Sequence, residues 1–196
     1  MRNYASIIGI VTKIEEITTG TAYPRLLVTL RVNRFSAKCD YIGVVVPNSL
    51  GISAEDISMG ETLQVSGILQ SYPRADGRYR AAIRCYKVEH VSDETEHINN
   101  VELAGTLSKS KHTGRPTIAG GYVRNDKIRI ERAHSGRVYC DTVPFVTWDS
   151  VAEAVEDMED GSAVGVVGRL QERDIRISDT IYRRTEIAVK SISALN

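Results

Sequence analysis

The amino-acid sequence predicts an all-β protein made of two tandem five-stranded barrels, each with a helix or helical turn between its third and fourth strands. Three observations predict it. The stretch CDYIGVVVPNS, from Cys39 to Ser49, returns as CDTVPFVTWDS, from Cys140 to Ser150, at an offset of 101 residues. At the same offset Glu55-Asp56 lands on Glu156-Asp157, Gly60 on Gly161, and VSGILQ (Val65 to Gln70) on VVGRLQ (Val166 to Gln171). Within each copy the apolar runs are short, β-branched and bounded by turn residues. A fixed period of this length is too long for a solenoid repeat and fits a whole small domain, so the chain is read as a duplication.

The first copy supplies the strands in order. ASIIGIVTKI is apolar and β-branched, and after the turn-like TTGTAYP comes RLLVTLRVNRF. DYIGVVV follows, and then SAEDISMG, a short segment able to form a helical turn. TLQVSGILQSY is the fourth strand, Asp76-Gly77 marks a hairpin turn, and YRAAIRCYKVEHV is the fifth. In the second copy the helical slot holds DSVAEAVEDMEDG, where Val151, Ala154, Val155 and Met158 recur at helical spacing and Gly161 suits a helix stop. Five strands with a helix between the third and fourth is the layout of the OB-fold barrel. The expected boundaries are residues 1–91 for the first barrel, a polar linker over 92–98, and 99–196 for the second barrel.

Composition excludes more than it assigns. Hydrophobic content of 42% and charged content of 26% are those of a soluble globular protein. No apolar run approaches a membrane span, and the N-terminus carries a charge too early for a signal peptide, so a cytoplasmic location is expected. Cys39, Cys85 and Cys140 form no CxxC pair, which argues for reduced thiols, and no metal site or cofactor is expected. No P-loop, dinucleotide fingerprint, HExxH or GxSxG is present, and His90, His97, His112 and His134 have no ligand spacing, so no enzyme is expected. Net charge is zero, but it is segregated: residues 101–147 hold eight Lys or Arg against four acids, residues 148–160 six acids and no base, and residues 161–190 six bases against four acids. A balanced total can therefore hide a basic face.

The second copy resembles the bacterial single-stranded-DNA-binding proteins. NNVELAGTL is similar to that family's Asn-x-Val-x-Leu-x-Gly-x-Leu first strand. FVTWDSVAEAVEDMEDGSAVGVVGRLQER matches its aromatic residue, Ala-Glu helix and Val-x-x-x-Gly-x-Leu-x-x-Arg fourth strand, and YRRTEIAV its Tyr-x-x-Thr-Glu-Val-Val-Val. The resemblance implies an OB-fold that lays single-stranded DNA across one barrel face. It also implies assemblies of four OB domains, which two such tandem chains would supply as a homodimer. Replication or recombination proteins are the partners it implies. Trp148 falls on a family stacking position, whereas Ile175 stands where the family commonly has tryptophan and Pro47 stands at the first copy's equivalent of Trp148. The chain closes on ISALN, so the family's acidic recruiting tail is not expected.

Strand alternation names contacts independently. Arg169, Gln171, Arg173 and Ile175 fall on one face of the fourth strand, and Gln70, Tyr72 and Arg74 on the equivalent face of the first copy. Arg78, Tyr79 and Arg80 follow the Asp76-Gly77 turn, and Tyr182, Arg183 and Arg184 return from the corresponding hairpin. Basic residues interleaved with aromatics suit a sequence-tolerant strand binder, with Tyr72 either stacking a base or lying on a solvated face. Trp148 either stacks a base or caps the barrel core. Arg31, Arg129 and Arg132 either line the groove or pair with carboxylates, and Arg31 and Arg132 keep the 101-residue offset. Lys109, Lys111 and Arg115 lie in a Gly- and Pro-bearing loop that either closes over a strand or is simply solvated, while the acidic helix repels phosphate. Two functions are therefore carried forward. The first is binding of single-stranded DNA with little sequence preference, serving replication, recombination or mobile-element transfer. The second is an OB-fold module, such as a primosome or replisome accessory, that binds another protein.

Overall fold

The structure, a computed structural model, describes residues 2–17, 25–73, 79–111, 114–118, 120–177 and 179–195. It divides into two units, Tyr4–Asn100 and Val101–Asn196 together with Met1–Asn3.

The first unit consists of β1 (Asn3–Ile17), β2 (Arg25–Asn33), β3 (Cys39–Val46), β4 (Thr62–Pro73) and β5 (Tyr79–His90). Alternate residues of β2, namely Leu26, Val28, Leu30 and Val32, turn inward and are buried. That is the period-2 pattern of a sheet with one face on a core. β1 pairs antiparallel with β2 and β4, β2 with β3, and β4 with β5. The ring closes through a parallel contact of β3 with β5. This is a closed five-stranded OB barrel filled by Ile7, Leu30, Ile42, Leu63, Leu69 and Ile83. Between β3 and β4 lie two 3-10 turns, Asn48–Leu50 and Ala54–Asp56, the second stabilised by a capping box between Ser53 and Asp56.

The second unit repeats the ring with β6 (Ile98–Ser108), β8 (Tyr122–His134), β9 (Arg137–Trp148), β10 (Ala163–Ile177) and β11 (Thr180–Ala194), and adds β7 (Arg115–Pro116) beside β8. Its ring runs β6–β8–β9–β11–β10–β6, again with one parallel contact, β9 to β11. The helix expected between the third and fourth strands is α1, Asp149–Asp157, and it buries Ala152 and Val155. It ends ahead of Gly161, because Gly161 serves a turn at φ 87°, as Gly60 does at φ 89° in the first unit.

Two details explain why the repeat is so visible. β4 and β10 each carry a bulge at a glycine, Gly67 and Gly168, which bends the strand around the barrel. A Cβ on Gly67 would lie 2.5 Å from the carbonyl oxygen of Arg84, so only glycine fits the approach. The offset does change along the chain. β8 and β9 join through the tight turn Ser135-Gly136, both residues at positive φ, where the first unit spans 34–38. Tyr41 therefore faces Arg31, whereas Thr142 faces Arg129. The structural counterpart of Arg31 is Arg129, and that of Arg132 is Arg34. The shared 101-residue spacing of Arg31 and Arg132 does not make them equivalent.

Candidate nucleic-acid interface

The β10–β11 hairpin sets the second unit's outer face. Gln171 stands opposite Glu186 and Arg173 opposite Arg184, so Arg169, Gln171, Arg173 and Ile175 share a face with Tyr182, Arg184, Glu186 and Ala188. Glu186 is fully buried at its centre. Its carboxylate accepts from Gln171 Nε2 at 2.9 Å, Arg173 Nη2 at 3.1 Å and Arg184 Nη2 at 2.6 Å. Charge-assisted bonds of this kind satisfy the buried acid, and two guanidiniums on one carboxylate leave the site net positive. Arg173 Nη2 also donates to Asn125 Oδ1 at 2.9 Å, tying the hairpin to β8, and Arg169 Nη2 donates to Gln171 Oε1 at 3.0 Å. Lys127 and Arg129 follow Asn125 on the same parity of β8, both exposed. A cleft of about 410 Å³ opens here, lined by Lys109, Lys111, Asn125, Lys127, Pro144 and Arg184.

Trp148 ends β9 at 37% exposure. It is not a core residue. Val123 faces it across the β8–β9 ladder and faces Arg115 across the β7–β8 ladder, so Arg115 and Trp148 flank Val123 on one face. The loop before β8 is held from below. Lys109 donates from Nζ to the carbonyl oxygens of Glu156 and Met158 at 2.8 and 2.7 Å, which closes the end of α1. Asp126, buried beside Arg124 at 2.7 Å, accepts from the Ser110 N–H at 2.7 Å. Tyr122 hydrogen-bonds Glu156 through its hydroxyl, which raises its pKa above the ordinary value.

In the first unit the same face carries Gln70 opposite Ala82 and Tyr72 opposite Arg80. Tyr72 donates to Gln70 Oε1 at 3.0 Å. The Arg80 guanidinium lies over Gly43, where a Cβ would meet it at 3.3 Å. Arg31 is half-buried on β2, and among the described residues its buried Nε has no hydrogen-bond acceptor.

Of the residues singled out from sequence, Arg169, Arg173 and Tyr182 come together on one face, with Arg129 on the same parity of β8. Trp148 and Arg115 come together at the end of β9, and Tyr72 and Arg80 form the first unit's pair. Arg183 points to the other side of β11, toward Asp174 at 3.4 Å and Glu172 at 3.9 Å. Arg132 is engaged twice, 2.6 Å from Asp141 and stacked 4.6 Å from the Tyr139 ring centroid. Arg74 lies outside the described residues, as does the side chain of Tyr79. Sequence reasoning missed Lys127, Asn125 and Glu186, and it named Arg183 and Arg184 together, although alternation along β11 separates them onto opposite faces.

Fold and face together define the class: a tandem pair of OB barrels, each with a polar, arginine-bearing face. Among solved structures the wild-type single-stranded DNA binding protein from Thermus aquaticus is similar over the whole of this chain and 93% of its own, at 15% identity and a TM-score of 0.79. A deletion and substitution variant of that protein is similar over 100% of this chain and 95% of its own, at 16% identity and a TM-score of 0.77. No protein-family model matches the chain, and no curated protein matches it.

Proposed function

We propose that this protein binds single-stranded DNA with little sequence preference, through the arginine-bearing faces of its two barrels. The observation that supports it best is the second unit's face, where Arg173 and Arg184 converge on one buried acid, Arg169 shares their face, Lys127 lines the adjoining cleft and Trp148 ends β9. Such a surface takes phosphates by charge and bases by stacking, without reading base edges. The reading is supported by the likeness of the fold to the Thermus aquaticus structures, whose names state single-stranded DNA binding. The role is protection or organisation of exposed strands in replication, recombination or mobile-element transfer, in the nucleoid-bearing cytoplasm. The chain pairs as a homodimer that presents four OB domains, which light scattering tests.

The experiment is an anisotropy titration of labelled poly(dT) at low and moderate salt, with Trp148 emission followed in parallel. Binding that weakens steeply with salt and quenches the single tryptophan is expected. Absence of binding at low salt overturns the reading and turns attention to a protein partner for the same barrels.

A further inference from the structure

The two units fill one structural slot in different ways, and the difference is coupled. Gln70 and Gln171 are equivalent, since each sits four residues after its bulge position, Ser66 or Val167. The hairpin registers then match Tyr72 to Arg173, Arg80 to Arg184, and Ala82 to Glu186. Two of these four positions keep their residue and two change together. Where the slot holds Arg173, its diagonal neighbour across the ladder is the buried acid Glu186. Where it holds Tyr72, that neighbour is Ala82, buried at 3% exposure. A second guanidinium beside Arg184 is costly without an acid between them, and an acid without it would be a buried charge less fully matched. The chain thus contains both solutions of one packing problem.

We propose that Glu186 is a positioning residue of the strand-binding face. It fixes Arg173 and Arg184 as a matched pair of phosphate donors, whereas the first unit offers Tyr72 for base stacking at the same place. Glu186 touches no ligand itself, because it is fully buried beneath its three donors. Each guanidinium spends one edge on the carboxylate, which orients its remaining N–H groups in advance of binding. This division of means rests on the DNA-binding reading above, and half of its test does not.

The test compares wild-type full-length protein with Glu186→Ala, Arg173→Tyr and the double variant Arg173→Tyr/Glu186→Ala, by thermal melting and by oligo(dT) affinity across a salt series. The double variant copies the first unit's pair. It is expected to melt closer to wild type than Glu186→Ala does, and its log K against log salt is expected to be shallower by about 0.7, the loss of one phosphate contact. Glu186→Ala alone is expected to melt lower and to bind several-fold more weakly although it removes a negative charge, a result that electrostatics without positioning would reverse. Additive melting shifts overturn the coupling. Wild-type affinity and slope in Glu186→Ala overturn the positioning role. If wild-type protein does not bind oligo(dT), the DNA-binding reading and the positioning role fall together, while the melting cycle still decides the coupling.

Discussion

Asp40 and Asp141 hold the same post in their two barrels, each buried on the third strand and each paired with an arginine, Arg34 just past the end of β2 and Arg132 within β8. Arg34 reaches Asp40 from the far side of a loop, and Arg132 reaches Asp141 from inside a hairpin with a two-residue turn. The acid was retained at constant spacing while the connection around it changed length. Removing one partner of such a pair strands the other charge. Asp141→Asn is therefore expected to lower the unfolding free energy by about 1–3 kcal/mol, as a urea titration measures. A change within experimental error would mean that Arg132 is held by Tyr139 alone.

Arg183 and Arg184 are adjacent in sequence and face opposite ways. Arg184→Ala removes a guanidinium from the face that bears Glu186 and the cleft, so oligo(dT) affinity is expected to fall about tenfold, in the range of one charge-assisted contact. Arg183→Ala removes one held among Glu172 and Asp174, and should leave affinity within about twofold. Equal losses from both variants would place the strand elsewhere.

The three cysteines should separate cleanly. Burial pushes the Cys85 thiol up to about 12, so it stays protonated and shielded at neutral pH. Cys39 and Cys140 are exposed. Ellman's reagent is expected to titrate two thiols in native protein and the third only after denaturation. Three fast thiols would contradict the packing of β5.

His97 gives a pH signature. Its Nδ1 accepts the Asn33 N–H at 2.8 Å, which requires the neutral ring. Burial first, and then the positive charge of Arg31, hold its pKa below the ordinary 6.5. The unfolded chain therefore takes up a proton before the folded one as pH falls. The stabilisation is complete above 6.5 and is lost as pH falls from there through the lower folded value. Wild-type protein is expected to lose more stability on acidification than His97→Gln, in paired denaturant titrations. Parallel pH profiles would remove His97 from the account.

The architecture was legible because barrels demand certain residues at certain places. Gly60 and Gly161 must take positive φ, and Gly67 and Gly168 must let one strand pass close to another, so both pairs survived divergence at constant spacing. The alternation of β4 and β10 likewise placed Gln70 with Tyr72 and Arg169 with Arg173. What stayed hidden depends on three-dimensional convergence. Glu186 reads as an exposed acid in TEIAVK, and it is buried only because Gln171, Arg173 and Arg184 meet it from two strands. Lys109 reads as a mobile phosphate contact, and its ammonium instead finishes a helix that lies far along the chain. The mismatch of Arg31 with Arg132 came from a turn whose length no periodic pattern records.

Each barrel is a hoop fastened by a small clasp. The parallel joint of β3 with β5 registers only Val44 with Ile83 and Val45 with Arg84, and that of β9 with β11 only Phe145 with Ile187 and Val146 with Ala188. Every other seam in the hoop is a longer antiparallel ladder or lies nearer in the chain. The clasp has the fewest registered pairs of any seam, so it is the natural place for a barrel to spring open. Trp148 and Arg184 sit on the two strands that the second clasp joins. A strand of DNA gripped by both would bridge the fastening, and occupancy of the face and closure of the hoop would then be one equilibrium.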